Sequence, residues 1–204
     1  YEIGVRLVGS EMCIRDSQDF YRFSGIYRDV YLYTVPEVHV NDLRIRAIPD
    51  VSLASADFEL TTKTWGKGQL KIVLSKEGNV VLEDVKEISD EDTFSWKVDA
   101  PVLWSAEGPQ LYDLVLEVYN EAGELQEVVP QKVGFRRFEM KDSIMMLNGK
   151  RIVFKGVNRH EFSSVSGRVV SREELIKDLV TMKQNNINAV SYTHLRAHET
   201  DSYL

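Results

Sequence analysis

The chain is poor in cysteine and histidine and has no long apolar run. Its single cysteine, Cys13, cannot form an intramolecular disulfide, and no CxxC or HExxH spacing that could hold a metal occurs in the 204 residues. No stretch approaches the roughly 18 uninterrupted apolar residues of a membrane-spanning helix, so the sequence predicts no membrane partner. A basic stripe is also missing, since 25 Lys and Arg stand against 32 Asp and Glu for a net charge of -7. That balance argues against nucleic acid as a partner.

The composition that is present is typical of a folded chain with one large or two small domains. It is 43% hydrophobic, 10% aromatic and 28% charged. The sequence begins at Tyr1 without an initiator Met and without the apolar region of a signal peptide. We therefore expect the chain to be an internal piece of a longer gene product. A neutral small molecule remains possible as its ligand.

Two terminal segments, Leu7–Ser17 and Val190–Thr200, are related through DNA. One nucleotide string encodes the second segment, and its reverse complement in a shifted frame encodes residues 7–16. The string resembles the adapter end of transposon-based sequencing libraries. We predict that residues 1–17 are adapter-derived or of uncertain origin and that 190–204 are adapter-derived, so Cys13, His194 and His198 would carry no functional information. The alternative is two native peptides, and the codons of the source DNA would distinguish them.

Residues 37–139 show short runs in which apolar and polar residues alternate. This period of two, with glycine-containing turns between the runs, predicts antiparallel strands. About seven such strands in about a hundred residues favour an immunoglobulin-like β-sandwich. The predicted core is the alternating set together with Trp104: Val38, Val40, Leu43, Ile45, Phe58, Leu60, Leu70, Ile72, Leu74, Phe94, Trp96, Val98, Tyr112, Leu114, Leu116 and Val118.

The pattern changes after Lys141. Met145–Leu147 and Arg151–Val157 are predicted as strands around an Asn-Gly turn. Ser171 and Glu174 have the capping-box spacing, so a helix is predicted to begin there and to end at Asn185-Asn186, before another extended segment. Strand, helix and strand predict the start of a parallel α/β layer. The polar loop 158–170 would lie at the barrel face where substrates bind.

Three sequence blocks carry a family resemblance: Gln18–Leu32, Leu103–Tyr112 and Leu147–Val190. Together they resemble the β-galactosidases of glycoside hydrolase family 2. Within them, Ser24–Asp29 and Asn158–Glu161 favour this branch over the glucuronidase branch. The resemblance implies a mainly β chain in which residues 18–36 end a jelly-roll sugar-binding domain, 37–139 form the immunoglobulin-like sandwich, and 140–189 begin the TIM-barrel catalytic domain.

The resemblance also implies a reaction, the hydrolysis of terminal non-reducing β-D-galactose from β-galactosides such as lactose with retention. The acid/base and nucleophile glutamates and the Mg²⁺ site belong to later parts of such enzymes, so this chain is expected to contain no catalytic residue and to be inactive. A full-length protein is expected to be a cytoplasmic homo-oligomer. Two alternatives stay open, a non-catalytic carbohydrate-binding β-sandwich module and a sibling β-glucuronidase or β-mannosidase.

Two substrate-binding residues follow from the same resemblance. Asp19 matches the carboxylate that helps to hold Na⁺ against the galactosyl 6-hydroxyl, although the other sodium ligands are missing and a turn or capping role is the structural alternative. His160 matches the barrel histidine that contacts a galactosyl hydroxyl, against the alternative of an ordinary loop histidine. Arg159 and Glu161 are interpreted as structural residues that pair within the loop. His194 matches a second family histidine only by position, and we interpret that match as coincidence.

Overall fold

Two facing antiparallel sheets make up the first part of the structure. The computed structural model describes residue 26 and residues 29–191. Strands β1, β2 and β5 form a three-stranded sheet in the order β1-β2-β5, and the other four form a sheet in the order β4-β3-β6-β7. The bounds are β1 His39–Pro49, β2 Ser55–Trp65, β3 Gly68–Lys76, β4 Asn79–Ile88, β5 Glu91–Asp99, β6 Tyr112–Asn120 and β7 Leu125–Val133.

The turns between these strands use the predicted glycines. In the β3–β4 hairpin, Glu77 and Gly78 have φ values of 52° and 83°, as a two-residue mirror-image turn requires. Gly66 and Gly123, in the turns after β2 and β6, also have positive φ. Pro130 lies in β7, an edge strand. Proline has no amide hydrogen to donate, and an edge strand tolerates this because it has a hydrogen-bonded neighbour on one side only.

One hydrophobic core lies between the two sheets. Alternate side chains of β2, β3 and β6 are fully buried, which confirms the predicted inward set on these strands. Tyr112 packs edge to face on Phe135 at a centroid distance of 4.9 Å, although the sequence prediction did not include Phe135. Trp104 was predicted as a core residue, but it is only half-buried. Its indole lies beside the backbone of Gly134 instead, where an added Cβ would meet a ring carbon at 3.1 Å.

The second part consists of short strands and one described helix. A small antiparallel sheet has the order β10-β9-β8. Strands β11 and β12, which precede and follow helix α1 along the chain, pair in parallel. This is the predicted strand–helix–strand unit that opens a TIM barrel. The bounds are β8 Phe138–Lys141, β9 Ile144–Leu147, β10 Lys150–Arg151, β11 Gly156–Asn158, α1 Arg172–Gln184 and β12 Ala189–Ser191.

The predicted continuous strand 151–157 is wrong, because the chain leaves the strand conformation between β10 and β11. The side chain of Asn188 explains the break. Its Nδ2 donates to the Val153 carbonyl at 3.0 Å, and its Oδ1 accepts from the Lys155 amide at 2.8 Å. The Val153 carbonyl and the Lys155 amide thus pair with a side chain rather than with the backbone of a neighbouring strand.

The jelly-roll assignment of residues 18–36 lies mostly outside the described residues, and residues 26 and 29–36 contain no helix or strand. Within the part of the chain that the structure describes, no helix is long and apolar enough to cross a membrane.

Candidate functional site

His160 lies just beyond the carboxyl end of β11, as the sequence predicted. The β11–β12 pair is in register from Gly156 opposite Ala189 to Asn158 opposite Ser191, and the Arg159 amide donates to the Ser191 carbonyl at 3.0 Å. His160 therefore follows the last paired residues, and it is exposed. Side chains at this end of parallel barrel strands face the substrate side.

The residue before His160 is bound to helix α1. Arg159 Nη2 and Nε donate to one carboxylate oxygen of Asp178 at 2.7 and 3.1 Å. The Arg159 side chain is only 12% exposed, which favours a structural role for it. The bond to the helix was not predicted, and the predicted pairing of Arg159 and Glu161 within the loop stays a prediction.

The residue three positions after His160 is bound to the same helix. Ser163 Oγ donates to Glu174 Oε1 at 2.8 Å, and the backbones of Ser163 and Gly167 exchange hydrogen bonds of 2.7 and 2.9 Å. Ser163 is buried, unlike its neighbours 164–166. The loop after His160 is therefore a compact turn fixed at its base.

Glu174 serves two partners at once. Its Oε2 accepts from the Ser171 amide at 2.9 Å, while the Glu174 amide donates to Ser171 Oγ at 3.2 Å, which confirms the predicted capping box. The hydrogen bond from the Ser171 amide, followed by the one from Ser163, lowers the pKa of the Glu174 carboxyl below its usual value. The carboxylate is thus held in its charged form, which accepts both bonds.

The small β8–β10 sheet, which precedes the barrel unit, is joined to the sandwich through Asn148, in the turn between β9 and β10. Its Nδ2 donates to the Trp104 carbonyl at 2.9 Å, and its Oδ1 accepts from the Arg137 amide at 2.9 Å. Arg136 stacks its guanidinium over the Trp104 ring at 4.8 Å. The bond from Asn148 to Trp104 holds this small sheet against the sandwich.

An open groove of about 480 Å³ lies beneath α1, and it does not contain His160. Leu179 and Met182 of the helix line it, together with Val190 of β12 and Glu107 of the sandwich. Leu179 and Met182 belong to the apolar stripe of α1, a helix that has no fully buried residue. The groove therefore marks the inner side of the helix, away from the predicted sugar contact.

Of the predicted site residues, only His160 can be located. Asp19 lies outside the described residues, as do Cys13, His194 and His198. Within residues 26 and 29–191, no group of three or more His, Cys, Asp or Glu side chains could hold a metal ion. Ser163 and Asp178 were not predicted from the sequence, and Glu174 was predicted only as a cap. The loop contact of Glu174 joins residues eleven apart, and no local pattern signals such a pair.

Comparison with known proteins gives two family matches. Residues 38–136 match the model described as glycosyl hydrolases family 2, and residues 138–201 match the one described as glycosyl hydrolases family 2, TIM barrel domain. The second match includes part of the segment that we predict to be adapter-derived. The adapter origin of residues 190–204 stays a prediction for the source DNA to test.

Named relatives agree with the family matches. A protein named beta-galactosidase from Halalkalibacterium halodurans is 50% identical over 199 residues, which cover 95% of this chain and 19% of that protein. Another beta-galactosidase, from Streptococcus thermophilus, is 46% identical over 88% of this chain and 18% of its own length. The chain thus spans about a fifth of these relatives.

Among solved structures, the apo structure of Bacteroides uniformis beta-glucuronidase 3 superimposes with a TM-score of 0.78 at 26% identity. It covers 88% of this chain and 23% of that one.

Proposed function

Because the chain belongs to glycosyl hydrolase family 2, we propose that it is an internal segment of a retaining β-galactosidase that removes terminal β-D-galactose from β-galactosides such as lactose. The observation that carries this proposal is the difference in identity between the two kinds of relative. The two proteins named beta-galactosidase above are 50% and 46% identical to this chain, whereas the beta-glucuronidase structure is 26% identical. We therefore expect the residues that select the sugar to be those of a β-galactosidase rather than those of a β-glucuronidase.

His160 is the residue of this chain that we assign to the sugar. It is exposed at the carboxyl end of a parallel strand, where a bound galactosyl ring would lie. A neutral imidazole can donate one hydrogen bond and accept another, which suits a ring hydroxyl that also does both. His160 would thus bind and orient the galactosyl ring rather than transfer its proton.

The bond-breaking groups are proposed to lie in the rest of the full-length protein. Retaining glycosidases use two carboxylates about 5–5.5 Å apart, one as nucleophile and one as acid/base. We propose that this chain supplies neither and is inactive by itself. Mg²⁺ and Na⁺ are proposed for the full-length enzyme, with Asp19 as one Na⁺ ligand because hard cations prefer oxygen.

The test is an assay of the full-length gene product and of this chain on nitrophenyl β-D-galactoside, β-D-glucuronide and β-D-mannoside. We expect the full-length protein to hydrolyse the galactoside with the highest kcat/KM and this chain to release no nitrophenol. Turnover by this chain that is lost in His160→Ala would contradict the assignment of catalysis to other residues. Removal of Na⁺ should raise KM in the full-length enzyme, and Asp19→Asn should abolish that dependence.

A sibling activity is the second candidate, and the beta-glucuronidase superposition favours it. It would be established if the glucuronide were the better substrate in the same assay. The third candidate, a non-catalytic sugar-binding module, predicts a reading frame that stops soon after the barrel unit. A cytoplasmic homo-oligomer is also proposed for the full-length protein, and light scattering of the purified enzyme tests the oligomeric part.

A further inference from the structure

The segment that carries His160 is fixed on both sides by one face of α1. Arg159, directly before it, binds Asp178, and Ser163, three residues after it, binds Glu174. Glu174 and Asp178 are four residues apart, so their side chains lie on the same face of the helix. Only three residues, 160–162, lie between the two attachments, so both ends of this short segment are bound to α1.

The second attachment, between Ser163 and Glu174, also organises the loop that follows His160. Ser163 Oγ accepts from the amides of Val165 and Ser166 at 3.3 and 3.4 Å while it donates to Glu174. Because Glu174 also closes the capping box, the helix N-terminus and the loop share one carboxylate. A shift of α1 along its axis would therefore move both flanks of His160 together.

We propose that Glu174 and Asp178, acting through Ser163 and Arg159, are positioning residues that set His160 for its galactosyl hydroxyl. This inference rests on the proposed function of His160. It assigns to the first barrel helix a role in substrate binding in addition to its role in the fold. None of the four residues needs to touch the sugar.

The experiment uses the full-length enzyme with Ser163→Ala and Asp178→Ala, each alone and combined with His160→Ala. Glu173→Gln is the matched control, because it removes a charge in the first turn of α1 from an exposed neighbour of Glu174. We expect each positioning variant to lower kcat/KM on the galactoside about tenfold, since small misplacements of a binding group cost up to about 100-fold. In the His160→Ala background the same changes should cost nothing further. The control should stay at the wild-type value.

Monodeoxy galactosides separate positioning from general damage to the barrel. On the analogue that lacks the hydroxyl contacted by His160, the positioning variants should match the wild type, whereas a damaged enzyme would lose activity on every analogue. Glu174→Gln, which retains an acceptor oxygen, should recover most of what Glu174→Ala loses. Thermal midpoints measured beside these assays report the folded state of each variant.

Losses that add fully to that of His160→Ala, or wild-type kcat/KM in both positioning variants, would overturn the inference. If His160→Ala itself leaves kcat/KM unchanged, the sugar role of His160 falls together with it. If the wild type prefers a glucuronide, the proposed function fails while the same cycle on that substrate still decides the positioning role.

Discussion

Leu116 in strand β6 of the sandwich is fully buried, whereas Leu179 in α1 of the barrel unit is 60% exposed. The two regions have similar apolar content but different ways of covering it. In the sandwich, strands of nine to eleven residues from two sheets close over one core. In the barrel unit, two strands of three residues and one helix leave the helix without a buried residue.

The difference shows which interactions order each region. The sandwich is held mainly by burial of apolar side chains from its own strands. The barrel unit is ordered by directed polar contacts, namely the capping box, the Arg159–Asp178 pair, the Ser163–Glu174 bond and the Asn188 bridge. Each polar contact fixes geometry but adds little net stability. A side-chain truncation that strongly lowers the free energy of unfolding in the sandwich should therefore lower it only slightly when it is made in the barrel unit.

The largest effect should come from truncating the same side chain in the two regions. Leu116→Ala should lower the free energy of unfolding by about 2–5 kcal/mol, because it leaves a cavity in the core. Leu179→Ala should change it by no more than about 0.5 kcal/mol, as for other exposed positions. Urea unfolding followed by tryptophan fluorescence measures both. Equal losses would mean that the apolar face of α1 is covered and that the two regions do not differ.

A smaller effect is expected at the junction between the regions. Asn148→Ala removes two side-chain hydrogen bonds and places Ala at a φ of 49°, so we expect a loss of about 2–3 kcal/mol. Asn148→Gly tolerates the positive φ and isolates the hydrogen bonds, and its loss should be the smaller. Faster hydrogen exchange at the Arg137 amide would report the broken contact. Unchanged exchange there would contradict the junction.

The acid limb of stability should depend on Asp84 in the sandwich. The hydrogen bond from Lys86, then that from Trp96, lowers the pKa of this carboxyl below its usual value of 3.8. A lowered native pKa gives stability that is complete above 3.8 and is lost as the pH falls through the native pKa. In Asp84→Asn, the free energy of unfolding should therefore fall less on acidification than in the wild type. The difference should be below about 1 kcal/mol, as for a partly exposed pair. A curve parallel to the wild type in urea titrations from pH 6 down to about pH 2 would refute this contribution.

The smallest global effect is expected from the helix cap. Ser171→Ala should destabilise the first turn of α1 by about 1 kcal/mol. The effect should appear as faster hydrogen exchange of the α1 amides, while the urea midpoint of the sandwich stays the same. A lower sandwich midpoint in this variant would show that the two regions unfold as one unit.

Local sequence patterns were enough to predict most of the fold. The alternation in β2, β3 and β6, the Asn148–Gly149 turn and the capping box each have a physical cause within a few residues. Phe135 could not be predicted this way, because it follows β7 outside any alternating run and is buried only where it meets Tyr112 and Phe58. The break before β11 was missed for a similar reason, since it depends on Asn188, more than thirty residues further along.

The sequence by itself determined the strand pattern of the sandwich, the helix with its cap, and the position of His160 after a strand, because periodicity and capping act over a few neighbouring residues. Only the tertiary structure decided what holds His160. The bonds from Arg159 to Asp178 and from Ser163 to Glu174 join residues 19 and 11 positions apart. Such pairs form only after the helix has folded back along the strand, so the spacing of the residues carries no sign of them.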